Sequence, residues 1–302
     1  MSEYDVFVVG SANVDQTVTV ERMPEEGETL KGLSYQICCG GKGSNQAVGA
    51  ARAKAKTAFL GCVGNDDNGK LFRDKFAQEG IICDAMWDVD TPTGVALIYL
   101  TTSGNNAITI YAGANGCISS EQIEKSTEML NASKVVLLQN EVPEEVNIQV
   151  AKAVTSEDTK VILNPAPARE MSTELLAKTD CIIPNETEAQ LITGIKITDQ
   201  ESLDKCVDKL HELGIDEAII TLGERGCYVS SGGNRRQITP PKVKAINTIG
   251  AGDCFCGVFC AFLAKGFDTF AAVEYAVKAS SISVTRHGAM DSMPMLDEFY
   301  TE

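Results

Sequence analysis

Histidine is nearly missing from this chain, with only His211 and His287 in 302 residues. No C-x2-C pair occurs either. The donor set of a structural zinc site is therefore lacking, although Cys254, Cys256 and Cys260 lie close and Cys256 and Cys260 share a helix face. Small, buried, inert thiols are the expectation. Basic charge is also scarce. The chain has 26 Lys and Arg against 42 Asp and Glu, a formal net charge of −16. That argues against a surface for nucleic acid or anionic membrane, because nothing would supply the counterion-release contribution. An anionic ligand must then be held by backbone dipoles, a few basic side chains or bound cations. No apolar run approaches the roughly 20 residues of a membrane span. The opening "MSEYDVFVVG" enters an apolar strand with no basic segment or cleavage site, so no secretory leader is expected. The cysteines, eleven in all, follow no disulfide rhythm, which suggests the reducing cytosol and a cytoplasmic protein. No linker, charge block, low-complexity tract or internal repeat interrupts the chain.

What is present is ordinary globular composition, 44% hydrophobic and 23% charged. "YDVFVVG", "TAFLGCVG", "KVVLLQ", "KVILN", "DCIIPN" and "EAIITLG" are short Val- and Ile-rich runs of the kind that form buried parallel strands. Amphipathic segments at 121–131, 144–155, 171–178 and 200–213 alternate with them. The alternation predicts an α/β fold with a doubly wound, mostly parallel sheet flanked by helices. Two stretches break the pattern. "GVALIYLTTSGNNAITIYAG" (94–113) reads as a hairpin around "SGNN", and "VDQTVTVERMPEEGETLKG" (14–32) is strand-like with turn signals. The two are expected to pair into a small β-sheet lid. The predicted division is a core of 1–13, 37–93 and 112–302 and a lid of 14–36 and 94–111.

Polar residues recur just after the apolar strands. Asn13 and Asp15 follow the first, Glu141 follows "KVVLLQ", Asn164 ends "KVILN", Asn185 follows "CIIP", and "TLGERG" ends another. In open α/β sheets, ligands bind beyond the carboxyl ends of the strands, so these residues should converge. Each alone could be a turn or cap residue. Two glycine loops add to them. "CGGKGSNQAVGAA" (39–51) is not a Walker A loop, since Lys42 is followed by Gly43 and the upstream glycine is missing. In "NTIGAGDCFCG" (247–257) the last glycine is out of register for a dinucleotide fingerprint. A small-residue loop opening a helix is a place for phosphate. Asp253, inside that loop, could be a reacting carboxylate or a helix N-cap.

Taken in order, "GSANVD" (10–15), "GGKGSNQAV" (40–48), "NPAPAR" (164–169), "PNETEA" (184–189), "TLGERG" (221–226), "NTIGAGD" (247–253) and "SVTRHGA" (283–289) resemble the ribokinase-like (PfkB-type) carbohydrate kinase family nearly end to end. "NPAPA" and "PNETEA" point within it to members acting on ribose. The resemblance implies phosphoryl transfer from Mg-ATP to the 5-hydroxyl of D-ribose. Another small sugar or nucleoside (2-deoxyribose, fructose, adenosine) and a catalytically silent sugar-binding regulator are the alternatives. It also implies a homodimer through the lid, with Val95, Leu97 and Tyr99 on the contact face.

Residue roles follow from the resemblance. Asp253 is the general base, and the backbone N–H groups of Gly250, Ala251, Gly252 and Asp253 form an anion hole. The helix dipole is expected to lower the Asp253 pKa. Asn13, Asp15, Gly41, Lys42, Gly43, Asn45 and Glu141 hold the sugar. Asn185 lies near the phosphates, and Thr221, Gly223, Glu224 and Gly226 line the nucleotide. Glu188 acts on Mg²⁺ through water. Asn247, Ile249, Ser283, Arg286, Gly288 and Ser292 form a site for K⁺, mostly through backbone carbonyls. Two departures from the family stand out. Asn247 replaces a common aspartate, and Cys256 and Val258 are unusual after Asp253.

Overall fold

The computed structural model describes residues 2–301. In chain order the strands are β1 (Tyr4–Val9), β2 (Asn13–Val20), β3 (Ser34–Gly40), β4 (Thr57–Gly64), β5 (Ile82–Val89), β6 (Gly94–Thr101), β7 (Asn106–Tyr111), β8 (Ser133–Gln139), β9 (Lys160–Asn164), β10 (Cys181–Ile182), β11 (Glu217–Thr221), β12 (Cys227–Ser231) and β13 (Asn234–Ile238). The helices are α1 (Lys42–Arg52), α2 (Asp67–Glu79), α3 (Ser120–Asn131), α4 (Glu144–Ala153), α5 (Thr173–Leu176), α6 (Glu186–Thr193), α7 (Gln200–Glu212), α8 (Ala251–Ala264) and α9 (Thr269–Ser283).

Nine strands form one sheet in the order β13-β12-β11-β10-β9-β8-β1-β4-β5. Its pairings are parallel except β11–β12 and β12–β13, so β12 alone runs against the rest. Period-two alternation splits β1 between two cores. Val6 and Val8 pack with Phe72, Phe259 and Ala276 of α2, α8 and α9, while Phe7 and Val9 pack with Leu130, Val150 and Leu210 of α3, α4 and α7. Burial on both faces is why the strands read as unbroken apolar runs.

A second sheet has the order β3-β2-β6-β7. β6 and β7 form the hairpin, and β2 runs parallel to β6 from Asn13↔Gly94. β3 runs from Ser34 to Gly40, so this strand of the small sheet continues past residue 36, and its end, Cys39 and Gly40, reaches the main core. Its residues alternate exposed apolar with polar side chains, a weaker pattern than a buried strand gives.

One helix contact positions the site. α1 and α8 cross closely at Gly257, where an added Cβ would lie 2.3 Å from the Gln46 carbonyl oxygen. This brings the first turns of the two helices side by side, beyond the carboxyl ends of β1, β8 and β9.

Candidate active site

At the end of β1 the chain passes under the first turn of α1. A Cβ on Gly43 would sit 2.5 Å from the Ser11 nitrogen, so only glycine permits this approach. Glu141, just after β8, ties the two elements together. Its Oε2 accepts from Ser11 Oγ at 2.5 Å, from the Lys42 backbone N–H at 2.8 Å and from Asn13 Nδ2 at 3.4 Å. Asn115 fixes the Asn13 amide by donating to its Oδ1 at 2.7 Å, while its own Oδ1 accepts the Ala12 N–H at 2.8 Å. Sequence reasoning missed Ser11 as a site residue, although it sits inside "GSANVD", and missed Asn115, which no pattern marks.

Asp15, on β2, lies near Glu141 and Asp253. Burial, reinforced by the negative charges of Glu141 and Asp253, pushes its carboxyl up to about 7, and no hydrogen bond offsets this. Such a group lacks donors, and a polyol would supply them.

Asp253 is the third residue of α8. Gly250 is the N-cap, and no side chain caps this helix, so Asp253 is not a cap. Its Oδ2 accepts from Asn45 Nδ2 at 2.9 Å and its Oδ1 from Gln46 Nε2 at 3.0 Å. Burial raises its pKa against the opposing pull of Lys42 and the two amides. The expected lowering by the helix dipole is thus overridden, because desolvation of a buried carboxylate is the larger effect. Asn45, expected on the sugar, donates one of its two amide N–H bonds to Asp253. Lys42, beside them, loses proton affinity through burial but gains more from Asp253, Glu141 and Glu188, so it stays charged.

Among the described residues, the N–H groups of Gly250, Gly252 and Asp253 have no acceptor, and that of Ala251 makes a 3.3 Å contact to the Thr248 carbonyl. Three of the four expected anion-hole donors are thus free, and the fourth is held weakly. Ala251 and Gly252 of this row line a cleft of about 1050 Å³, together with Asn185, Thr221, Gly223, Glu224 and Gly226. Thr239, Lys242, Val243, Val277 and Ser280 also line it and were missed. The aperiodic segment "PPKVKA" resembles a plain connecting loop, and Val277 and Ser280 look like one face of a packing helix.

Asn185 is the N-cap of α6, with Glu188 at its third position. Asn185 Oδ1 accepts the Glu188 N–H at 2.9 Å, and Glu188 accepts the Asn185 N–H at 2.8 Å and its amide at 2.9 Å. Each Glu188 oxygen keeps a second lone-pair direction, which suits a hydrated magnesium better than direct ligation. No cluster of three metal-ligating side chains occurs among the described residues.

The two segments expected around K⁺ lie together. The N–H groups of Ile246 and Asn247 both donate to the Val284 carbonyl, at 2.7 and 3.1 Å. Their side chains are engaged elsewhere. Asn247 Oδ1 accepts the Ile249 N–H at 2.9 Å, Ser283 and Ser292 share a 2.7 Å hydroxyl contact, and Arg286 pairs with Glu298. Gly288 follows with φ +95°. Backbone carbonyls are what these segments leave for a cation, while the Arg286 guanidinium cannot ligate one.

Comparison with known proteins gives a consistent result. The model of the pfkB family carbohydrate kinases matches residues 4–296. A ribokinase from Haemophilus influenzae is 42% identical over 297 residues, covering 96% of this chain and 95% of that protein. A deoxyribokinase from Salmonella typhi is 33% identical over 305 residues, covering 98% and 97%. The structure of Arabidopsis thaliana ribokinase complexed with ribose and ATP superposes with a TM-score of 0.94 at 35% identity, covering 98% of this chain and 97% of that one.

Proposed function

Because the chain belongs to the pfkB family of carbohydrate kinases, we propose that the site described above transfers the γ-phosphoryl group of ATP to the 5-hydroxyl of D-ribose. The enzyme is an ATP-dependent sugar kinase, and ribose phosphorylation is its reaction. The observation that carries the assignment of roles is the Asp253 carboxylate. It is buried, is not the cap of its helix, directly follows Gly252 of the cleft wall, and is near enough to Asp15 and Glu141 for their charges to interact.

The sugar lies between Asn13, Asp15 and Glu141, with the glycine loop of Gly41, Lys42 and Gly43 against it. Asp253 accepts the proton of the attacking hydroxyl, and burial makes it a better base than a free carboxylate. The free N–H groups of Gly250, Gly252 and Asp253 stabilise charge on the transferred group, and the Ala251 N–H joins them. Lys42 adds positive charge between the two substrates. Phosphoryl transfer asks mainly for such positioning and charge stabilisation. Glu188 would hold, through water, the Mg²⁺ that accompanies ATP, and that ion would supply positive charge to the phosphates. The backbone carbonyls of 247–249 and 283–292 would hold K⁺, whose charge would support the floor of the anion hole.

The outer face of the lid supports a homodimer. By register Tyr35 lies in line with Tyr99 and Ile37 with Leu97, all four exposed and on the face opposite Asp15. Val95, half-buried, continues the row. Eleven free thiols fit a reducing, cytoplasmic setting.

The experiment is ADP release with Mg-ATP and either D-ribose or 2-deoxy-D-ribose, for the wild type and Asp253→Asn. The expected result is higher kcat/KM for ribose, and kcat reduced by roughly 10²–10⁴ in the variant with a smaller change in ribose KM. Preference for the deoxy sugar would replace the substrate. Near-wild-type kcat in the folded variant would overturn Asp253 as base.

A further inference from the structure

We propose that Gln46 is a positioning residue for phosphoryl transfer, its side-chain amide tying the Asp253 carboxylate to the end of strand β9 through Asn164. The inference rests on the reading of Asp253 as the base. It is carried by a chain of hydrogen bonds whose direction is fixed. The Ile183 carbonyl can only accept, and Asn164 Nδ2 donates to it at 2.8 Å. Asn164 Oδ1 therefore faces Gln46, whose Nε2 donates to it at 3.0 Å and to Asp253 Oδ1 at 3.0 Å. Flipping the Gln46 amide would set its oxygen against two acceptors, so the orientation is forced. Gln46 Oε1 and Asn45 Oδ1 are buried without a partner among the described residues, a cost tolerated where the donors are needed.

The geometry gives each carboxylate oxygen one amide donor, Gln46 on Oδ1 and Asn45 on Oδ2. Two anchors on separate oxygens fix the carboxylate plane, and with it the lone pairs left for the sugar hydroxyl. The amides also favour the ionised form. The other groups facing Asp253 are Lys42 of α1, Glu141 after β8, Glu188 of α6, Asp15 of β2, and the Cys254 and Cys256 thiols of α8. None of them is removed by changing Gln46.

The test is Gln46→Met, which keeps length and loses both donors, followed through the pH profile of kcat. That parameter is chosen because it reports the enzyme–substrate complex, whereas Asp15 titrates at about 7 in the free enzyme. The acid limb should move up by about one pH unit, kcat at neutral pH should fall roughly 10- to 100-fold, and ribose KM should stay within about threefold. Asn164→Ala should shift the limb the same way by less, since it frees the Gln46 amide without removing it. An unmoved limb and unchanged kcat in folded Gln46→Met would overturn the proposal. If Gln46→Met shows no cooperative melting, an unmoved limb in Asn164→Ala overturns it instead. Asp253→Asn, run alongside, separates the two readings, because an active Asp253→Asn overturns the base and an inactive one beside a wild-type-like Gln46→Met overturns only the role of Gln46.

Discussion

Replacing Asp15 by Asn should make the sugar-free enzyme more stable and less able to bind its sugar. The structure holds this carboxyl at about 7, against 3.8 in an ordinary setting, because burial and the charges of Glu141 and Asp253 oppose its ionisation. A folded-state pKa above the unfolded one means that the folded protein binds the extra proton between those two values. Stability is therefore lost as pH rises from about 4 to about 7, and is flat beyond. Three pH units correspond to about 4 kcal/mol at pH 8, and the portion already lost at pH 5 is about 1.5 kcal/mol. Asn, which does not titrate, escapes this penalty. Urea unfolding of both proteins without sugar should give a stability gain for Asp15→Asn of up to about 4 kcal/mol at pH 8 and about 1.5 kcal/mol at pH 5. Ribose KM should rise by roughly 10- to 100-fold, since hydrogen bonds to a charged acceptor are lost. Equal or lower stability of the variant at pH 8, or a gain that does not depend on pH, would refute the reasoning.

Three other outcomes are expected. Gly252→Ala adds a methyl group that meets no protein atom within 4 Å but sits where the cleft is proposed to take the phosphates, so melting should be unchanged or slightly higher while kcat falls at least about tenfold; unchanged kcat would remove this N–H row from the reaction. Asn247→Asp restores a negative charge beside the cation segments, so half-activation by K⁺ should occur at lower concentration than in the wild type; equal or weaker K⁺ dependence would argue against a cation there. Leu97→Asp places a charge in the exposed apolar row of the lid, and sedimentation at micromolar concentration should show a dimer for the wild type and monomer for the variant; a monomeric wild type would refute the lid interface.

The amino-acid sequence alone determined the layered α/β architecture, because a sheet buried on both faces demands uninterrupted Val- and Ile-rich strands, and β1, β4, β8, β9 and β11 have them. It also marked the strand ends where Asn13, Glu141 and Asn185 lie, and the hairpin at "SGNN", since turns and polar termini are local features. Strand β3 was only half legible, because a lid strand with exposed apolar side chains carries no burial signal. Asp253 shows the limit more sharply. From its own stretch it could equally have been a helix cap, only the family resemblance pointed to a base, and its pKa was expected to fall. Tertiary structure gave the cap to Gly250 and buried the carboxylate against Asn45 and Gln46, 208 and 207 residues away. Gln46 and Asn115 are neutral amides with no pattern of their own. What they do depends on which partners the packing of α1 on α8, and of the 113–117 turn against the Ala12–Asn13 segment, sets close to them. Desolvation and hydrogen-bond direction are properties of that packed arrangement, so no local run of residues encodes them.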